Sequence, residues 1–279
     1  IYLPLKTLDT PFLKKLRCIC DMSTSCAALT LINIGEIRYM FNRKTLFRRN
    51  KTTNSSGKSI PIDPVKSKWL DRFSEPQTGH AIDAEQAYNQ SMEEAKVFSE
   101  NGLFQKNDVF LDLGSGNGRQ AIGLLEYGIK KYVGIEPVKE SVEFSRRTFS
   151  DYLQCEFIWL NLKNDQYNPT GTINPLEMRI PFEDGYFDAA IAGSLFTHLG
   201  SLDVCEHYLG EIHRALKTGG RLFCTWFRNP PNALSDDHKR SVFKEADIIT
   251  MSTKYFTVYH TYGGMSDQFH DQWCLYCRK

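Results

Sequence analysis

From about residue 80 to the end, short apolar runs alternate with stretches whose apolar positions recur every three or four residues. The first pattern predicts buried strands, the second helices lying against them. In 82–101 the stripe is Ala84, Tyr88, Met92, Ala95 and Phe98, which predicts a helix. Strands are predicted at 109–113, 131–136, 155–160 and 188–193, with helices at 119–127 and 139–149. The clearest helix is 203–217. Val204, Tyr208, Leu209, Ile212, Ala215 and Leu216 share one side; Glu206, Glu211, Arg214 and Lys217 share the other. Gly219 and Gly220 are expected to end it, and 221–227 to follow as the fifth strand. A proline-containing loop at 229–234 and a helix at 236–247 come next. Two aromatic, Thr/Val-rich runs, 254–262 and 270–278, flank Gly263 and Gly264 and read as an antiparallel hairpin.

Strands alternating with helices predict a doubly wound α/β domain with a parallel sheet. It is expected to span 69–279. Residues 1–68 carry no recognisable motif and are expected to be a basic extension and linker: 27–41 as an amphipathic helix, then Arg43, Lys44, Arg48, Arg49 and Lys51, then a polar tether at 52–59.

The chemistry concentrates at the first strand. Leu113 is followed by glycines alternating at Gly114, Gly116 and Gly118, and then by a helix. Such a bend lets backbone approach a ligand, because glycine lacks Cβ and accepts positive φ. The helix start adds unpaired N–H groups. The spacing differs from the dinucleotide pattern G-x-G-x-x-G. Asp112 stands at the strand end, where a carboxylate suits a sulfonium or ammonium better than a pyrophosphate. Glu136 closes the second strand, where an acid can hold ribose hydroxyls. Ser194-Leu195-Phe196-Thr197-His198-Leu199 follows the fourth strand at its carboxyl end, where open α/β sheets bind ligands.

With these residues the chain resembles the class I S-adenosylmethionine (SAM)-dependent methyltransferases over about 80–279. The Ser-x-Phe-Thr-His-Leu run and 181–188 resemble a bacterial-type subgroup. The resemblance implies a Rossmann-like, seven-stranded sheet completed by the C-terminal hairpin. It implies SAM as donor and S-adenosylhomocysteine (SAH) as product. Asp112, Gly114, Ser115, Gly116, Gly118, Glu136, Pro137, Asn161, Leu162 and Ser194 are the expected cofactor-binding residues. Asn161 departs from the family, which commonly has an aspartate there to read the adenine amine. His198 is expected either as the base that deprotonates the acceptor or as a packing or positioning group. Tyr88 reads as a ligand cover or as core. The long link at 164–181 shapes a pocket or is a surface loop.

Charge is unevenly spread. Residues 1–70 hold 13 Lys and Arg against 4 Asp and Glu, while the rest hold 21 against 29. The basic arm reads chiefly as a solvated tether, or else as a phosphate or membrane-surface contact. The acidic remainder argues against nucleic acid. Eight scattered cysteines suggest free thiols in a reducing cytoplasm. Cys274 and Cys277 fall in one strand-like run and should face opposite ways, which argues against a metal site. No apolar run is long enough to span a membrane. No secretory signal is evident, and Ile1 in place of Met suggests a fragment or processed form. The expected activity is methylation of a small-molecule or glycan acceptor, at a hydroxyl. An RNA or protein methyltransferase using the basic arm is an alternative. So is a SAM-binding protein without catalysis.

Overall fold

The computed structural model describes residues 64–75, 77, 82–229, 240–263 and 272–279, all within the unit Ile62–Lys279. The expected helix at 27–41, the basic run, the tether and most of the loop at 229–234 lie outside the described residues.

The sheet is built from β1 (Val109–Leu113), β2 (Lys131–Glu136), β3 (Cys155–Trp159), β4 (Phe187–Ala192), β5 (Leu216–Asn229), β6 (Val242–Lys244), β7 (Thr257–Gly263) and β8 (Trp273–Arg278). Its order is β3-β2-β1-β4-β5-β8-β7, with β6 paired to β5. β1 to β5 run parallel; β8 is antiparallel to both β5 and β7. The helices are α1 (Pro64–Phe73), α2 (Ala84–Glu100), α3 (Arg119–Glu126), α4 (Lys139–Thr148), α5 (Leu202–Ala215) and α6 (Glu245–Thr253).

The period-2 rhythm of the strands divides their side chains between two apolar layers. Leu111, Val133, Ala190, Leu222 and Leu275 join α5 and α6 on one face. Phe110, Tyr132, Ala189, Phe223 and Tyr276 join α1 to α4 on the other. Cys277 and Cys274 go to opposite layers in the same way. Tyr88 packs its ring 5.9 Å from that of Trp69, on the second layer. The α2–α3 crossing is close: a Cβ on Gly123 would stand 2.2 Å from the Ser91 carbonyl oxygen.

Two elements differ from expectation. α5 stops at Ala215, and the chain enters β5 at once. The β4–β5 register shifts there, from Phe187–Leu216 to Ala189–Arg221, so the Gly219–Gly220 pair lies in an irregular stretch of strand. Gly219 takes φ 77°, which suits that local turn. Residues 242–244, expected as helix, form β6 beside Phe227–Asn229. Phe243 sets its ring edge-on to Trp226 at 6.1 Å, and this burial overrides local helical preference. β6 adds an eighth strand to the expected seven. No helix among the described residues is long and apolar enough to cross a membrane.

Candidate active site

The glycine bend caps β1. The Gly114 and Ser115 N–H groups both donate to the Ile135 carbonyl of β2, at 2.8 and 3.2 Å. Gly114, Gly116 and Gly118 take φ 84°, 53° and 74°. A Cβ on Gly116 would meet nothing within 4 Å and project into open space. A Cβ on Gly118 would lie 2.9 Å from the Phe157 ring, so that glycine serves packing beneath the bend.

Two buried carboxylates flank the bend. Glu136 accepts the Gly116 N–H on Oε2 at 2.9 Å and the Val138 N–H on Oε1 at 3.0 Å. Burial raises its pKa above the ordinary value, and these two N–H groups oppose the rise. Asp112 is 3% exposed and accepts the Tyr132 hydroxyl. Burial pushes its pKa up to about 7, opposed by the Tyr132 bond and by the nearby Arg119. Arg119 is itself held by Glu94 of α2 at 3.0 Å.

A cavity of about 1160 Å³ opens above these groups. That exceeds the usual size of a pocket for one small ligand, roughly 300–1,000 Å³. Asp112, Gly114, Ser115, Gly116, Glu136, Pro137 and Leu162 line it, as do Ser194 and His198. Gly118 and Asn161 do not. Asn161 turns into its own loop, donating to Thr172 Oγ1 at 3.0 Å and accepting from Asn168 Nδ2 at 2.9 Å.

That loop carries residues the sequence did not single out. Asn168 also donates to the carbonyls of Leu162 and Pro137, and Asn164 Oδ1 accepts the Gln166 and Tyr167 N–H groups. So fixed, the loop presents Gln166 and Tyr167 to His198, which ends a short 3-10 turn at Phe196–His198. His198 Nδ1 lies 3.0 Å from Gln166 Oε1, which can only accept, and this contact favours the tautomer with the proton on Nδ1. Nε2 lies 3.4 Å from the Tyr167 hydroxyl, with the rings edge to face. Ser241 anchors the same turn from the far side, accepting the Gly200 N–H at 2.7 Å and donating its own N–H to the Thr197 carbonyl at 2.8 Å.

Residues 111–224 match the family described as a methyltransferase domain. The chain is also similar in fold to a SAM-dependent methyltransferase from Methanosarcina mazei, at TM-score 0.51 and 15% identity, over 65% of this chain and 96% of that one. Geranyl diphosphate C-methyltransferase from Streptomyces coelicolor, solved with Mg2+, geranyl diphosphate and SAH, aligns at TM-score 0.53 and 10% identity, over 78% and 99%. Residues 111–224 are thus similar to a methyltransferase domain, and the fold is that of SAM-dependent methyltransferases.

The cavity's lining has the chemistry to receive a cationic nucleoside. Ser115 and Gln120 line the cavity, and Ser115 Oγ, which stands over Gly134 of β2, and Gln120 Oε1 are buried with no partner among the described residues. Buried polar atoms are ordinarily paired, so these are where a ligand's polar atoms would be received. Asp112 can supply negative charge at low dielectric once a bound cation favours its ionised form. No group of three or more His, Cys, Asp or Glu among the described residues is placed to hold a metal ion. Gln166, Tyr167 and Gln272 were the site residues missed from sequence. The long link after β3, rich in Asn, was the one available signal for the first two.

Proposed function

We propose that the domain binds SAM over the glycine bend and transfers its methyl group to a hydroxyl of a small-molecule or glycan acceptor, releasing SAH. The observation that carries this is the pair of buried carboxylates, Asp112 and Glu136, on either side of a bend that leaves room above Gly116. Glu136 uses one N–H bond on each oxygen, and a carboxylate oxygen can accept more than one hydrogen bond. It can therefore receive ribose hydroxyls without releasing the bend. Asp112 faces the cationic part, and Ser115 and Gln120 offer acceptors beside it.

SAM supplies an already activated methyl group. The protein's share is alignment, exclusion of water and removal of one proton. Alignment alone can lower such a barrier by about 7–11 kcal/mol at best. His198, with its proton favoured on Nδ1 by Gln166, offers the Nε2 lone pair for the acceptor's proton. Tyr167 stands beside that atom and orders the approach.

Calorimetry with SAM and a screen of hydroxyl acceptors with labelled methyl donor test the reading. Wild type should bind SAM and label an acceptor, and Gly116→Val should bind none. Unchanged affinity in Gly116→Val refutes the site. Binding without labelling across the panel refutes catalysis.

A further inference from the structure

Elsewhere on the cavity wall, one buried amide has half of its hydrogen bonding undone. Gln272 immediately precedes β8 and is 8% exposed. Its Nε2 donates to Ser194 Oγ at 2.9 Å, which fixes the amide plane. Its Oε1 is buried and has no partner among the described residues. Both Gln272 and Ser194 line the cavity.

Independent geometry shows that this corner is built with care. Ser194 takes φ 57°, a conformation that non-glycine residues rarely adopt. Three bonds hold it there: its N–H donates to Thr225 Oγ1 at 2.7 Å, its carbonyl accepts the Thr197 hydroxyl at 2.6 Å, and its own hydroxyl receives Gln272. Strain so held is a recurrent feature of ligand sites.

The corner runs from Ser194, which follows β4 next to β1, out to Gln272. β8 is separated from β1 by β4 and β5, three strand spacings of about 4.8 Å each. A nucleoside over β1 and β2 therefore leaves this end for a second molecule. The ring beside Gln272 is Phe227, which follows Trp226, the register partner of Trp273; it is buried, lines the cavity and carries the Arg240 guanidinium 5.4 Å from its centroid.

We propose that this corner is the acceptor subsite, in which Gln272 Oε1 takes a hydrogen bond from a hydroxyl of a small molecule with an apolar ring. This rests on the methyltransferase reading and narrows its substrate class from any hydroxyl compound to ring alcohols and phenols. The physical basis is asymmetry. A ligand with the hydroxyl completes the amide's bonding, while one of the same shape without it leaves the oxygen buried and unpaired. Gln272 is thus a specificity residue, which positions the acceptor and takes no part in proton transfer.

Phenol and toluene, alike in shape but not in hydrogen bonding, are the probes. Each is titrated by NMR into the full chain with SAH present. Wild type is expected to bind phenol about tenfold more tightly than toluene, a ratio worth about 1.4 kcal/mol. Gln272→Leu should erase the difference, weakening phenol and strengthening toluene. Gln272→Met, which keeps the length and flexibility of the side chain, should do the same. Equal binding by wild type, no binding of either at millimolar concentration, or a phenol preference that survives both substitutions overturns the subsite. Calorimetry with SAH on the same samples separates the two readings. No SAH binding in wild type sinks the cofactor site, while the phenol–toluene ratio still decides Gln272. A tenfold loss of SAH affinity in Gln272→Leu assigns the amide to the cofactor and overturns the proposal.

Discussion

Glu136 holds Gly116 across the β1–β2 pair: Oε2 accepts the glycine N–H at 2.9 Å, while Oε1 accepts the Val138 N–H. One carboxylate therefore shapes the bend and faces the cavity. Glu136→Gln should damage both roles, because an amide offers one acceptor where two are needed. One buried N–H loses its partner, at a cost of about 1–3 kcal/mol. SAM affinity should fall by at least about tenfold. Urea unfolding and calorimetry on the same preparation read the two effects.

Gly116 and Gly118 belong to one motif but should fail differently. Both have positive φ, so alanine at either costs about 1–2 kcal/mol of backbone strain. Above Gly116 there is open space, and alanine there should fold and lose ligand affinity. Below Gly118 is the Phe157 ring, and alanine there must displace it, adding about 1–3 kcal/mol. Thermal unfolding should single out Gly118→Ala, and SAM titration should single out Gly116→Ala. Equal behaviour of the two variants would contradict this division.

Their legibility in sequence follows the same line between local and distant causes. β2 was expected at 131–136 and is found at Lys131–Glu136, since strand period and the following Pro137 are local signals. The bend was legible because glycine spacing is local too. The direction of the Asn161 side chain was not, for Thr172 and Asn168 capture it from later in the loop. β6 has only three residues and owes its strand to Phe227–Asn229 and the Trp226 ring. Gln272 meets Ser194 across 78 positions, and no pattern near either residue announces the other. Tyr88 shows that periodicity places a residue on a helix face without saying what covers it, here Trp69.

Asp112 makes both stability and binding depend on pH. Its pKa rises from the ordinary 3.8 to about 7, chiefly through burial. Between those values the folded state holds a proton that the unfolded state has released. Stability from this group is therefore full at low pH, declines as pH rises through that window, and is constant above about 7. A bound cation favours the ionised carboxylate, so SAM affinity should rise with pH up to about 7 and then level off. Below that point binding should release protons. Asp112→Asn should remove this group's share from both curves, leaving the shares of Glu136 and Asp108, whose pKa values are also raised by burial. The difference between wild type and variant cancels Asp188 and Glu211, whose lowered pKa values act with opposite sign. Calorimetry in buffers of unlike ionisation enthalpy counts the protons.

His198 acts in the proposed reaction through one ring tautomer, and Gln166 favours it. The Gln166 carbonyl oxygen, 3.0 Å from Nδ1, can only accept, so it favours the proton there and Nε2 as the lone-pair nitrogen. Gln166→Leu removes that preference without touching the imidazole or the glycine bend. The ring is then free to carry its proton on Nε2, the form unable to act as base. Turnover with a hydroxyl acceptor should fall severalfold, less than the roughly 100-fold expected for His198→Ala, with SAM affinity near wild type in both. Nitrogen chemical shifts of labelled histidine give the tautomer directly: Nδ1–H in wild type, a mixture or Nε2–H in Gln166→Leu. If the variant keeps the wild-type tautomer and rate, Gln166 does not position the base. If it changes tautomer at full rate, His198 is not the base.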